Sequence, residues 1–319
     1  MENEITDLKN YKLSFHGQGK KYFGILLKNW LLTLITLGIY YPWAKVKNLQ
    51  FIYGSTALNK EHFAFHGTGR EMFVGLLKTI FIFGLIYTMA FLFVYLEMPV
   101  LGSVFFYFTF IAAVPLAIHG SYRYRFSRTS WRGIRFGYRG DRTELFSTYF
   151  KWIFFTIITL GVYGAWMKIK LRGYLLSNVR AGNIEFSYKG AGKDFFILNL
   201  KDFFLSLVTL GVYSFWWQRD LFAYYVNNLT FSKEGQQIRL KSIATGSGFF
   251  KLNSVNVLLF IFTLGIGYAW VATRTMTFVT KNIKLIGDID LATIKQTEDE
   301  YTDATGDDMS GILDINFII

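Results

Sequence analysis

The chain has 319 residues, of which 52% are hydrophobic and 19% aromatic, and it contains no cysteine. Without cysteine, disulfides, thiol catalysis and Cys-ligated zinc or iron–sulfur centres are excluded. The net charge of +12 hides an asymmetry: residues 287–319 hold nine acidic groups and one basic, leaving the rest at +20.

Residues 1–10 are polar, and the first 22 lack an apolar core and a small-residue cleavage site, so no cleavable signal peptide is expected. The stretch that organises the chain comes next: Thr36-Leu37-Gly38-Ile39-Tyr40-Tyr41-Pro42-Trp43-Ala44-Lys45. It returns at 159–168 and 209–218, and in a worn form at 263–270. Gly38, Gly161, Gly211 and Gly265, with Trp43, Trp166, Trp216 and Trp270, mark the copies. Repetition at a fixed period implies tandem structural units. Taking Gly17 as zero, the equivalent glycines are Gly67, Gly140, Gly190 and Gly246. Phe recurs six residues on and Lys eleven on, at Lys28, Lys78, Lys151 and Lys201. Five units of about 50 residues result: 11–60, 61–133, 134–183, 184–237 and 238–286. The acidic tail, 287–319, follows.

Unit two is longer by about 23 residues in its middle. Ile80 to Leu96 and Met98 to Ile118 carry no charge and are separated only by Glu97. Each is close to the roughly 20 apolar residues that cross a bilayer, so they read as a transmembrane hairpin with its tip at Glu97-Met98-Pro99.

Before the unit glycines, runs such as Ile134, Phe136 and Tyr138 alternate with polar residues, the pattern of a half-buried strand. The following Gly-x-Gly suits a tight turn into a helix. Segments after each Trp, such as Lys168 to Leu176, are mixed in polarity and read as interfacial amphipathic helices. The fold expected is therefore an α-helical polytopic integral membrane protein of about five repeats. Each unit combines a membrane helix or re-entrant hairpin around Thr-Leu-Gly-x-Tyr, an interfacial helix and a short surface strand. Two topologies fit. Either Thr-Leu-Gly lies within a single crossing helix, giving six spans and strands on alternating faces, or it is a hairpin tip and all strands share one face. The basic loops after units two and three favour the second, because such loops stay in the cytoplasm.

Phe-His-Gly-x-Gly at 15–19 and 65–69, the decapeptide at 36–45 and the tail ending Leu313-Asp314-Ile315-Asn316-Phe317 resemble the YjgN-like bacterial inner-membrane proteins. The resemblance covers nearly the whole chain. It implies a multi-pass protein of the bacterial inner membrane with no defined activity, so it brings no catalytic or ligand residues. Arg139-Gly140-Asp141-Arg142, which lacks the second glycine, and the decayed fifth unit depart from the pattern.

His16, His62, His66 and His119 show no metal-ligand spacing, and no nucleophile elbow, Walker loop or paired carboxylates stand out. The chain reads as non-enzymatic, with no cofactor and no metal. Candidate pathway residues are Lys28, Lys78, Lys151 and Lys201, with Asn29 and Asp202 beside two of them, since ionisable groups in membrane segments often line a path. The competing reading is that these lysines snorkel to the interface. Arg123, Arg125, Arg128, Arg132, Arg135, Arg139 and Arg142 form a basic cluster expected to face anionic lipid headgroups, with loops and acidic tail in the cytoplasm. Nucleic acid is not an expected partner. Two functions remain: a channel or transporter for a small solute or anion, or a non-transporting membrane-organising or regulatory protein that binds lipid or a protein. A homo-oligomer is left open.

Overall fold

In the computed structural model, the described residues are 9–287, 289–290 and 293–313. Ten strands close an antiparallel barrel in the order β1-β10-β9-β8-β7-β6-β5-β4-β3-β2. They are β1 (Lys9–Phe15), β2 (Thr56–Leu58), β3 (Glu61–Phe65), β4 (Thr129–Trp131), β5 (Ile134–Tyr138), β6 (Val179–Ala181), β7 (Ile184–Tyr188), β8 (Leu229–Lys233), β9 (Gln236–Ser242) and β10 (Ile283–Gly287). Between them run the helices: α1 (Gly19–Ile35) and α2 (Tyr41–Ser55), α3 (Gly69–Tyr95) and α4 (Pro99–Ser127), α5 (Arg142–Ile158) and α6 (Gly164–Ser177). Then come α7 (Gly192–Val208) and α8 (Ser214–Asn227), α9 (Gly246–Phe262) and α10 (Tyr268–Lys281), and α11 (Thr305–Ile312) in the tail.

This overturns the expected fold class. The protein is a closed ten-stranded barrel carrying eleven helices among the described residues, not a polytopic helical bundle. Among the described residues, only α3 and α4 are long and apolar enough to cross a membrane. Strands of three to seven residues are marginal alone, and closing the sheet leaves no unpaired edge. Sequence reading found mainly the strand before each unit glycine. Its partners, such as Thr56–Leu58 and Thr129–Trp131, are too short to show a period. Tight turns join the pairs, with positive φ at Asn59 and Lys60, Arg132 and Gly133, Gly182, and Glu234 and Gly235. Such turns match the twist of paired strands.

The pairing register decides where the helices go. Phe15 pairs with Thr56, Phe65 with Thr129, Tyr138 with Val179, Tyr188 with Leu229 and Ser242 with Ile283. Every helical hairpin therefore leaves the same barrel rim, and the β-turns lie on the other. Strands on alternating faces are ruled out. Each helix packs on the next, and α10 packs on α1, so ten helices close a ring above the barrel. The barrel interior is apolar. Phe63, Phe136, Phe186 and Phe231 lie side by side with tilted and edge-on rings, their centroids 6.1, 6.3 and 4.5 Å apart. Around them a cavity of about 180 Å³ remains, lined also by Leu240, Leu285 and Ile294.

Thr-Leu-Gly is the hairpin turn itself, not the middle of a crossing helix. Leu37, Leu160, Leu210 and Leu264 take φ of 49–50°, and the following glycines 85–95°. The glycine N–H closes the outgoing helix by bonding five residues back, as Gly38 does to the Thr33 carbonyl at 2.8 Å. The threonine hydroxyl then accepts from the first turn of the return helix: Thr36 from Tyr40 N–H at 3.0 Å, Thr159 from Tyr163 at 2.9 Å and Thr209 from Tyr213 at 3.0 Å.

One register assignment also changes. In unit five the position equivalent to Gly17 is Ala244, not Gly246, because α9 starts at Gly246 as α1 starts at Gly19. Thr263 then falls nineteen residues on, as Thr36 does from Gly17. A Cβ on Gly17, Gly67, Gly140 or Gly190 would strike the aromatic ring two residues earlier. Ser242 occupies that place before Ala244, so the constraint is absent there.

Candidate functional site

Four joints between successive hairpins are built alike. Trp43 packs on Gly69, Trp166 on Gly192, Trp216 on Gly246 and Trp270 on Gly19, which closes the ring. A Cβ at any of these glycines would come within 2.2–2.8 Å of the indole. Phe23, Phe73 and Phe196, three of the recurring phenylalanines, pack on Trp270, Trp43 and Trp166 with ring centroids 5.3–5.4 Å apart. This explains the second glycine of Gly-x-Gly: it gives an indole access to a helix backbone.

The joint between α4 and α5 differs. Leu116 stands where the others have Trp, and Arg142 stands where they have Gly. The two changes belong together, because without the indole the opening residue has room for a side chain. A groove of about 660 Å³ opens here. Lys78, His119, Arg123 and Arg142 line it together with Ile82, Ile86, Ala112, Leu116 and the tail residues Tyr301 and Asp303.

The tail forms one wall. It leaves β10 and crosses the turn rim, where Thr297 donates to the Gly182 carbonyl at 2.7 Å and Gln296 accepts from Arg135 N–H at 2.7 Å. Ile294 closes that end of the barrel cavity. The tail then climbs over the arginine cluster. Arg139 pairs with Glu298 at 2.6 Å and Arg135 with Glu300 at 3.0 Å. Arg128 bridges Glu71 and Glu300, and Arg123 lies 4.3 Å over the Tyr301 ring. Glu300 is held below the usual carboxylate range by its hydrogen bonds to Arg128 and Arg135.

Helix α11 is wedged against α3 and α4. Gly306 lies against Gly120, where a Cβ on either would overlap the other's backbone. This close approach seats Asp307, which is 0% exposed, among Lys45 (2.7 Å), Ser121 (3.0 Å) and Arg125. Burial would raise the Asp307 pKa, but Lys45 and Arg125 outweigh it and hold it below the usual value. Asp308 sits 3.2 Å from Lys45 and is pushed up to about 6, burial outweighing the lysine. Met309 and Leu313 pack on Ala113, Ala117, Ile82 and Phe83. Ile312 is half exposed, and Ile315 and Phe317, expected to anchor the tail, lie outside the described residues.

The other candidates are placed as follows. Lys28, Lys78, Lys151 and Lys201 are all exposed, each on its own helix, and none lines the barrel cavity. Lys78 pairs with Asp303 at 3.3 Å, and Lys201 lies 5.9 Å over Tyr213. Asn29 is buried and donates to the Ala44 carbonyl at 3.2 Å, tying α1 to α2. Asp202 accepts from Ser206 at 2.7 Å. Arg132 lies 5.5 Å over Trp131. His16 and His66 bond Ser14 (2.9 Å) and Ser130 (2.7 Å). Lys45, Glu71, Ser121 and Asp307 escaped sequence reading. The Gly306-Asp307-Asp308 run with its small neighbours was the available signal.

A family described as "Bacterial protein of unknown function (DUF898)" matches residues 10–200 and 217–312. The chain belongs to this family. The chain is 38% identical over 141 residues to the inner membrane protein YjgN of Salmonella typhimurium strain LT2, 44% of this chain and 34% of that protein. It is 34% identical over 137 residues to inner membrane protein YjgN of Escherichia coli K12, 43% of this chain and 33% of that protein. The matched region spans about a third of the length of these curated relatives. No solved structure matches the chain. The DUF898 match takes in the altered joint and α11 as well as the repeats.

Proposed function

We propose that this DUF898 protein is a non-transporting lipid-binding protein of the bacterial inner membrane, in keeping with the name its relatives carry. The barrel lies at the cytoplasmic surface, and the ring of hairpins enters the bilayer. The five helix-pair and strand-pair units are copies of one ancestral unit.

The observation that carries the reading is the state of the four turn leucines. Leu37, Leu160, Leu210 and Leu264 are 90–94% exposed and hold a left-handed conformation that costs a non-glycine residue about 1–2 kcal/mol. Among the described residues, nothing covers these large apolar side chains. A hydrocarbon surround does. Helix lengths agree. Lys28 to Leu37, Lys151 to Leu160 and Lys201 to Leu210 each span nine residues, about 14 Å of helix. That is half of a hydrocarbon core about 30 Å thick. Lys78 to Leu96 spans eighteen residues, about 27 Å, the full core. With the register lysines at one interface, four hairpins reach the midplane and the α3–α4 hairpin crosses, placing Glu97 at the far surface. The basic barrel side faces the cytoplasm. An apolar barrel interior and exposed lysines support lipid binding over a transport path.

The absence of native cysteine permits a direct test. Single cysteines at Leu160 and Glu97, labelled with an environment-sensitive dye in reconstituted vesicles, should differ. Leu160→Cys should report hydrocarbon and be quenched by lipids brominated near the chain ends. Glu97→Cys should report the distal headgroups. A water-like spectrum at position 160 would remove the half-bilayer reading.

A further inference from the structure

Four joints of the ring are sealed by Trp on Gly, and one is open and lined with cations. We propose that this open joint binds a single anionic phospholipid, its phosphate between Arg123 and Arg142 and an acyl chain laid along α3 and α4. The proposal deepens the membrane reading and rests on it for the direction of the chain.

Charge supplies the first argument. Among the described residues, Lys78 is paired with Asp303, whereas neither Arg123 nor Arg142 forms an ion pair. Arg142 occupies the place that is glycine at the other joints, so its charge is specific to this one. Guanidinium groups match phosphate oxygens in geometry as well as in sign. Polarity supplies the second. Lys78, Arg123 and Arg142 lie at one end of the groove, and its walls rise through Ile82 and Ile86 on α3. On α4 they run from Arg123 back to Thr109, fourteen residues or about 21 Å of helix. This gradient parallels the bilayer normal set by the register lysines, and the wall is long enough for an extended acyl chain. Third, His119 borders the groove, is more than nine-tenths buried, and its Nδ1 has no hydrogen-bond partner. Buried polar atoms are ordinarily satisfied, and a headgroup in the groove reaches this enclosed nitrogen only with a turn of the imidazole ring. The groove volume falls within the range of small-molecule sites.

The test uses the full chain in mild detergent, phosphatidylglycerol as probe, and native mass spectrometry. One retained phosphatidylglycerol per chain is expected. The Leu116→Trp/Arg142→Gly variant rebuilds the joint that four other positions already fold, and should lower retention about tenfold, the effect of losing about 1.4 kcal/mol. Arg123→Gln/Arg142→Gln, which leaves the groove open, should do the same. Retention unchanged in both variants overturns the site. Equal retention of phosphatidylcholine overturns the anionic headgroup, displacement by oleate overturns the phospholipid, and displacement by inorganic phosphate overturns the need for a chain. Vesicle flotation separates the two readings. A wild-type chain that floats without the adduct loses the site and keeps the membrane reading. One that holds the adduct but does not float does the reverse.

Discussion

The α3–α4 hairpin and the other four hairpins start from the same plan and end differently. All begin on the same barrel rim at a Gly-x-Gly or its altered form, and four turn at Thr-Leu-Gly after 17 helical residues. The α3–α4 pair runs to 27 and 29 residues, turns at Glu97 instead, and carries Leu116 in place of Trp. It is also the hairpin on which the tail docks. Length, an open joint and a docked acidic helix therefore coincide in one unit. At the other four joints an indole packed on a glycine closes the ring.

The sharpest way to break this contrast is to undock the tail. Asp307→Leu leaves Arg125 without its buried carboxylate and Lys45 with Asp308 alone, and removing one partner of such a network costs about 3–5 kcal/mol. Hydrogen exchange should rise across 305–312 while α1, α5, α7 and α9 keep their protection. A uniform rise in all helices would mean the tail supports the whole ring.

A smaller effect separates the joints themselves. Gly192→Ala forces a Cβ against Trp166 and should lower thermal stability in detergent by about 1–3 kcal/mol. Arg142→Ala, at the open joint, should stay within about 0.5 kcal/mol. Equal losses would show that the open joint is packed as tightly as the rest.

The docked helix also predicts a pH dependence. Asp308 is raised from 3.8 to about 6, so between those values the docked tail holds a proton that the undocked tail has released. Docking therefore weakens as pH rises from about 4 to 6 and levels off above, by at most roughly 3 kcal/mol. Asp307 is depressed and acts in the opposite sense, losing its contribution only as pH falls below its usual 3.8. Protease release of the tail, followed against pH, should show the slope in the parent chain and none in Asp308→Asn.

The smallest effect concerns the register lysines. Lys151→Met, far from the tail, should change stability by no more than about 0.5 kcal/mol. A larger loss would give Lys151 a packing role its exposure does not show.

Much of this was legible in the residues. The Thr-Leu-Gly recurrences, the register of Phe and Lys and the 23-residue excess between Gly67 and Gly140 followed from spacing alone. The oddity at Arg142 was visible too, but its counterpart at Leu116 lies 26 residues earlier, and nothing in a linear reading ties a missing indole to a missing glycine. Likewise the arginines 123–142 read as a face for headgroups, and the structure shows five of them also meeting the tail, Arg123 through the Tyr301 ring and the rest through carboxylates.

What the sequence determined by itself was local: which short stretches recur, which segment is long enough to cross a bilayer, and where charge concentrates. These depend on neighbouring residues and on uncharged length. What only the tertiary structure decided was closure. A strand such as Thr56–Leu58 carries too few residues to announce a sheet, and its pairing with Leu13–Phe15 is set by a ring of contacts completed when β10 meets β1 and Trp270 meets Gly19. Closure belongs to the whole chain at once, so no window of the sequence contains it.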